Sequence, residues 1–145
     1  MARQTIPAKF GIAMLAGSAA FVVGSLSHIP IAIGPLKEPK IIPATIVEGL
    51  CALALAVGGV AILRGAAKAW ETAIGAHIFV MLGVSLGVIR LSMGVNPRTV
   101  TNDVFHYTSL VALAAGLVLL WLNEENWRIP PLEISVRSLN ISSNI

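Results

Sequence analysis

Residues 41–63 read IIPATIVEGLCALALAVGGVAIL, with Glu48 the only charged side chain in the run. About 20 mainly apolar residues carry a helix across a hydrocarbon core of roughly 30 Å, so this stretch is long enough to span a membrane. Three further stretches have the same character. Residues 10–36 carry no Asp, Glu, Lys or Arg, residues 72–97 carry only Arg90, and residues 104–123 carry none. The pattern predicts transmembrane helices over about 10–29, 43–63, 70–93 and 102–122. It defines an all-α, four-helix transmembrane bundle in one domain, residues 1–129, followed by a tail at 130–145.

The composition agrees. Of 145 residues, 56% are hydrophobic and only 12% charged, with a net charge of +3 and a mean hydropathy of +0.84. That excludes a disordered chain and an ordinary water-soluble globule. The small positive charge requires no nucleic-acid partner. A single cysteine, Cys51, excludes a disulfide framework and a Cys-rich metal site.

The span ends have local causes. Pro30 and Pro35 follow the first span, and Pro cannot continue the helical hydrogen-bond ladder. Pro43 opens the second span, where its missing N–H does no harm. Gly94-Val-Asn-Pro97 closes the third. Thr101 or Asn102 is positioned to cap the fourth, with Asp103 favourable in its first turn. Trp70, Trp121 and Trp127 fall near span ends, as in an interfacial aromatic belt. The first span follows Arg3 and Lys9 but runs past any signal-cleavage point, so it reads as a retained anchor.

Basic residues set an expected orientation. Arg3, Lys9, Arg64, Lys68, Arg128 and Arg137 share one side; Lys37, Lys40 and Arg98 lie on the other. The positive-inside rule then places both termini in the cytoplasm. Small residues recur at four-residue spacing: Ala16, Ala20 and Gly24; Ala54 and Gly58; Gly83 and Gly87; Ala112 and Gly116. Such rows allow close backbone approach, either within the bundle or on a homo-oligomer face. In the tail, Leu132-Glu-Ile-Ser-Val-Arg137 alternates as a strand does. It reads either as a disordered tail or as a segment that orders against a partner subunit.

Ionisable groups inside spans are costly and mark candidate sites. His28, Glu48, Arg90, Asp103 and His106 all fall towards the same, outer, end of the bundle, whereas His77 lies alone nearer the other. Three readings follow. In the first, Glu48 pairs with Arg90 and the others reach the wet interface. In the second, the cluster receives a quinone or other lipid-like ligand: His106 or Arg90 donates to its carbonyl, and Glu48 or His28 moves protons to bulk. In the third, Asp103-x-x-His106 with Glu48 and His28 holds a metal, or His28 and His106 ligate haem. Cys51, one turn from Glu48, reads as a small packing residue.

Within Ile42–Gly59, the glutamate followed by an apolar, glycine-rich run resembles the second helix of DoxX-like small membrane proteins. Glu48, Gly58 and Gly59 carry the likeness, and the four-span plan fits. Members of that family have been linked to thiosulfate:quinone oxidoreduction, so the resemblance implies quinone chemistry. Asn102-Asp-Val-Phe-His-Tyr107 looks somewhat like a haem-ligand helix of haem A synthase, without the Glu-x-x-His-Arg sequence that would carry ligand roles across. The expectation from the sequence is a small polytopic membrane protein in contact with the bilayer. It acts as a non-catalytic subunit or interaction protein of a membrane complex, respiratory or redox in kind. The alternative is a quinone- or haem-linked binding protein using the outer polar layer.

Overall fold

The computed structural model describes residues 5–29 and 38–127. It contains four long helices: α1 (Thr5–Ser27), α2 (Ile42–Leu63), α3 (Ala69–Ser92) and α4 (Val100–Leu122). A one-turn α5 (Glu124–Trp127) follows, and there is no strand among the described residues. Each long helix has between 22 and 24 residues, about 33–36 Å at 1.5 Å per residue, enough to cross the hydrocarbon core. The chain is an integral, multi-pass membrane protein with an all-α four-helix bundle. The tail at 130–145, with its strand-like alternation, lies outside the described residues, as do Pro30 and Pro35.

α1 starts at Thr5 rather than near residue 10. Pro7 falls in its first turn, where the proline nitrogen needs no helical partner. α4 starts earlier than expected because its N-cap is Thr99, not Thr101 or Asn102. The Thr99 Oγ1 accepts from the Asn102 N–H at 3.1 Å, and its extended backbone (φ −125°, ψ 151°) suits a cap.

α2 and α3 end alike. Gly65 has φ +62° and Gly94 φ +69°. After α2, the Gly65 N–H donates to Ile62 and the Ala66 N–H to Ala61; after α3, Gly94 donates to Leu91 and Val95 to Arg90. These are paired Schellman bonds, which satisfy carbonyls otherwise orphaned at a helix end.

Neighbouring helices run antiparallel, and α1 packs most closely on α2. Their seam has a seven-residue period rather than the four-residue rows expected from the sequence. The Ser18 hydroxyl donates to the Ala52 carbonyl and the Ser25 hydroxyl to the Thr45 carbonyl, both at 2.8 Å. One heptad before Ser18, Gly11 meets Gly59, where a Cβ on Gly11 would come within 3.1 Å of the Gly59 carbonyl oxygen. Seven residues make two turns, so all three contacts fall on one stripe. Ala16 and Ala20 of the expected row are exposed instead.

The core between the helices contains Met14, Phe21, Leu55, Val80, Val84, Leu113 and Leu120. Val111, Leu122 and Trp121 are at least 70% exposed, as the lipid-facing surface of a span should be. Trp70 is turned inward and donates from its indole N–H to the Leu120 carbonyl at 3.2 Å, joining α3 to α4. α1 and α4 do not close on each other: a groove of about 460 Å³ lies between them.

Gly94 has open space where a Cβ would stand, so Gly94→Ala tests backbone strain alone. Its expected cost is about 1–2 kcal/mol from the left-handed conformation, with Gly94→Asn costing less. Thermal unfolding in detergent micelles measures both.

Candidate functional site

Of the five residues expected to cluster, four line or adjoin one region at the end of the bundle formed by the α1 C-terminus and the α4 N-terminus. The structure changes their partners. Glu48 pairs with His28 rather than Arg90: His28 Nε2 lies 3.4 Å from Glu48 Oε1. Both are almost fully buried, at 2% exposed for His28 and 5% for Glu48. Depth along a helix placed Glu48 and Arg90 in one layer, but their azimuth turns Glu48 towards α1.

The tautomer of His28 follows from its other nitrogen. Nδ1 lies 3.2 Å from the Pro39 carbonyl, which only accepts, so Nδ1 carries a proton. Nε2 faces Glu48 Oε1, so a proton carried there would lie between imidazole and carboxylate. The Glu48 carboxylate raises the affinity of His28 for protons above the ordinary imidazole range, outweighing burial; the Pro39 carbonyl adds in the same direction.

Two atoms of the region have no hydrogen-bond partner and are buried: Glu48 Oε2 and Arg90 Nε. Leaving such groups unsatisfied costs about 1–3 kcal/mol each, more when charged. Both side chains line one cleft of about 100 Å³, with Cys51, Gly83, Gly87 and His106 among its walls. Pro43 and Leu86 mark its exposed mouth.

His106 enters this cleft with its orientation set. Its Nδ1–H donates to the Asn102 carbonyl at 2.8 Å, which leaves Nε2 as the free lone pair of the neutral ring. Nε2 lies in the socket left by Gly87, where a Cβ would approach it to 2.6 Å. His106 Nε2 thus shares this cleft with the N–H donors of Arg90 and Asn96.

Asp103 leaves the cluster. Its Oδ2 takes a 2.6 Å hydrogen bond from Arg98 Nε at the exposed edge of the α4 first turn. The metal reading that used Asp103-x-x-His106 loses that carboxylate to Arg98, and no group of three metal-ligating side chains occurs among the described residues. Both nitrogens of His28 are engaged, so it has none free for a haem iron. His77 lies at the other end, donating from Nδ1 to the Ala73 carbonyl at 2.9 Å and resting against Phe10.

Three residues of the region were not singled out from the sequence. Glu38, in the segment before α2, accepts from the Thr99 hydroxyl at 2.6 Å. Asn102 is buried and orients His106. Pro39 orients His28 through its carbonyl. The available signal was Glu38-Pro-Lys40 between the first two spans, at the same end as His28.

Compared with known proteins, the chain matches no family model, no curated protein and no solved structure.

Two expectations follow. In a double-mutant cycle, His28→Asn and Glu48→Gln couple strongly, because either change alone strands a buried partner at a cost of about 3–5 kcal/mol. The pair Glu48→Gln and Arg90→Met couples weakly. Denaturant unfolding in micelles measures both cycles. The second expectation concerns pH. The folded state binds the His28 proton more tightly than the unfolded state, so this contribution is complete below the ordinary imidazole range. It is lost as pH rises through the raised folded value. The thermal midpoint therefore falls on the alkaline side, and His28→Asn removes that fall.

Proposed function

We propose that this membrane protein binds an amphiphilic ligand whose polar head enters the Glu48–Arg90–His106 cleft from the lipid. The carrying observation is that two side chains with a buried, partnerless atom of opposite character, Glu48 with Oε2 and Arg90 with Nε, line one mainly apolar cleft beside Asn96 and His106. A ligand oxygen accepting from Arg90 would satisfy the guanidinium N–H. A ligand hydroxyl would serve Glu48 or the His106 lone pair.

Size narrows the class. A dry cavity of roughly 150 Å³ admits a benzene ring, and this cleft, of about 100 Å³, is open on one side. A ring-sized head would enter it in part, with the rest of the head and its tail outside among lipid chains. A quinone or quinol head supplies carbonyl and hydroxyl oxygens on one ring, and quinone chemistry is also what the DoxX-like second helix implies. With the termini cytoplasmic, as the positive-inside rule favours, the cleft belongs to the outer leaflet. A role as subunit of a respiratory or other membrane complex is compatible with this site. That role rests on the segment 130–145, outside the described residues, and so stands second.

The test is to purify the full chain in mild detergent, extract the apolar molecules that accompany it, and titrate a short-tail benzoquinone into the stripped protein. A co-purifying quinone, or saturable binding weakened at least about tenfold by Arg90→Met, is expected from loss of one charge-assisted hydrogen bond. Wild-type protein that carries no quinone and takes up none would overturn the proposal.

A further inference from the structure

Glu48 has a second face. A cavity of about 280 Å³ lies on the α1–α4 side of the bundle, with Ser27, His28, Glu38, Thr101 and Asn102 among its walls. Among the described residues, Glu48 is the one side chain that lines both this vestibule and the ligand cleft. Its partnerless Oε2 lies beside Gly24, where a Cβ would come within 2.8 Å of it. Gly24 also lines the vestibule. One oxygen of Glu48 is thus held by His28, and the residue stands between two cavities, one of which also has Arg90 and the other Glu38 in its wall.

We propose that Glu48 passes protons between the ligand in the cleft and the vestibule, with His28 as its charge partner and Glu38 as the base on the vestibule wall. The proposal rests on the cleft being the ligand site. In the resting state the His28–Glu48 pair holds one shared proton and is neutral. When a ligand hydroxyl enters the cleft, its O–H bond breaks and an O–H bond forms on Glu48. The pair then holds two protons and a net charge of +1, and the ligand oxygen is an anion facing the guanidinium of Arg90. The pair returns to one proton by losing the other to water in the vestibule. The reverse sequence protonates a ligand anion. No electron moves in these steps.

The surroundings support that direction of transfer. The groups facing Glu48 are His28 at the end of α1, Glu38 in the segment before α2, Cys51 on α2, Arg90 on α3 and His106 on α4. Arg90 lines the cleft and Glu38 the vestibule, so positive charge stabilises the deprotonated ligand on one side and negative charge attracts the departing proton on the other. Glu38 is kept in place by the Thr99 hydroxyl at 2.6 Å, and His28 by the Pro39 carbonyl. A general acid–base group that is anchored at both neighbours need not reorganise for each transfer.

The probe is a short-alkyl 4-nitrophenol, whose visible absorption appears only in the phenolate. Full-length protein in micelles is saturated with it and subjected to a pH jump, and the colour change of the bound probe reports its proton exchange with bulk. Glu48→Gln is expected to slow that exchange by about a hundredfold, and His28→Asn and Glu38→Gln to slow it by smaller factors. If Glu48→Gln does not fold, the His28 and Glu38 variants carry the same expectation. Exchange at the wild-type rate in the folded variants overturns the relay while leaving the ligand site standing. Failure of wild-type protein to bind the probe, or binding indifferent to Arg90→Met, overturns the ligand site itself.

Discussion

Each buried histidine or carboxylate inside the spans of this bundle depends on a glycine facing it from another helix. Glu48 of α2 lies against Gly24 of α1, His106 of α4 against Gly87 of α3, and His77 of α3 against Gly116 of α4. A single Cβ at any of these glycines would come within 2.5–2.8 Å of the polar atom. Lipid provides no hydrophobic drive for helices to associate, and polar groups cannot be left facing hydrocarbon without cost. The bundle meets both constraints with one device. The missing side chain on one helix lets the backbones approach and leaves a pocket deep enough to take a ring or a carboxyl group from the next.

The ionic arrangement follows from those sockets. Two histidines spend Nδ1 on the carbonyl one turn back in their own helix, which satisfies the ring without drawing on another side chain. His28 stands at a helix end, where that carbonyl geometry changes, and uses Pro39 instead. Its Nε2 is thereby available to Glu48. Arg90 has no such partner among the described residues: its buried Nε is unsatisfied. A bundle that balances His28 with Glu48 and leaves a guanidinium N–H unmatched over a cleft is organised differently from one stabilised by a Glu–Arg bridge.

The fold was legible in the sequence because the bilayer imposes a length on every span and excludes charge from it. Four charge-poor stretches therefore mark four helices, and glycines such as Gly94 mark where they stop. The depth of Glu48, Arg90 and His106 was legible for the same reason, since position along a span converts to height. Their pairing was not. Each residue turns a helix by about 100°, so the side on which Glu48 faces depends on how α2 is rotated against α1. That rotation is set by the Ser18, Ser25 and Gly11 stripe, whose seven-residue period is hard to see among many small residues. Glu38 was missed because it precedes its helix; its place by His28 and Thr99 comes from the path of the connecting segment, which periodicity does not describe. Asp103 stands in the first turn of α4, as its position suggested, and its tie to Arg98, five residues earlier, follows from the turn before that helix.

The two ends of the bundle differ in a way that bears on direction. At the His77 end, the histidine is buried between Phe10 and Gly116 with no carboxylate partner among the described residues. The nearby Trp70–Leu120 bond ties α3 to α4. At the other end, a carboxylate paired with one histidine lines two cavities at once, and the chain segment before α2 supplies Glu38 to one of them and Pro39 to the histidine. Among the described residues, Glu48, Arg90 and His106 share one cavity at this end, and Glu48 also lines a second one with His28 and Glu38. His77, by contrast, lines a groove whose other polar side chains among the described residues are the hydroxyls of Thr108 and Ser109. The asymmetry of titratable groups, more than the number of helices, is what would give this small bundle a defined side for the proposed proton exchange.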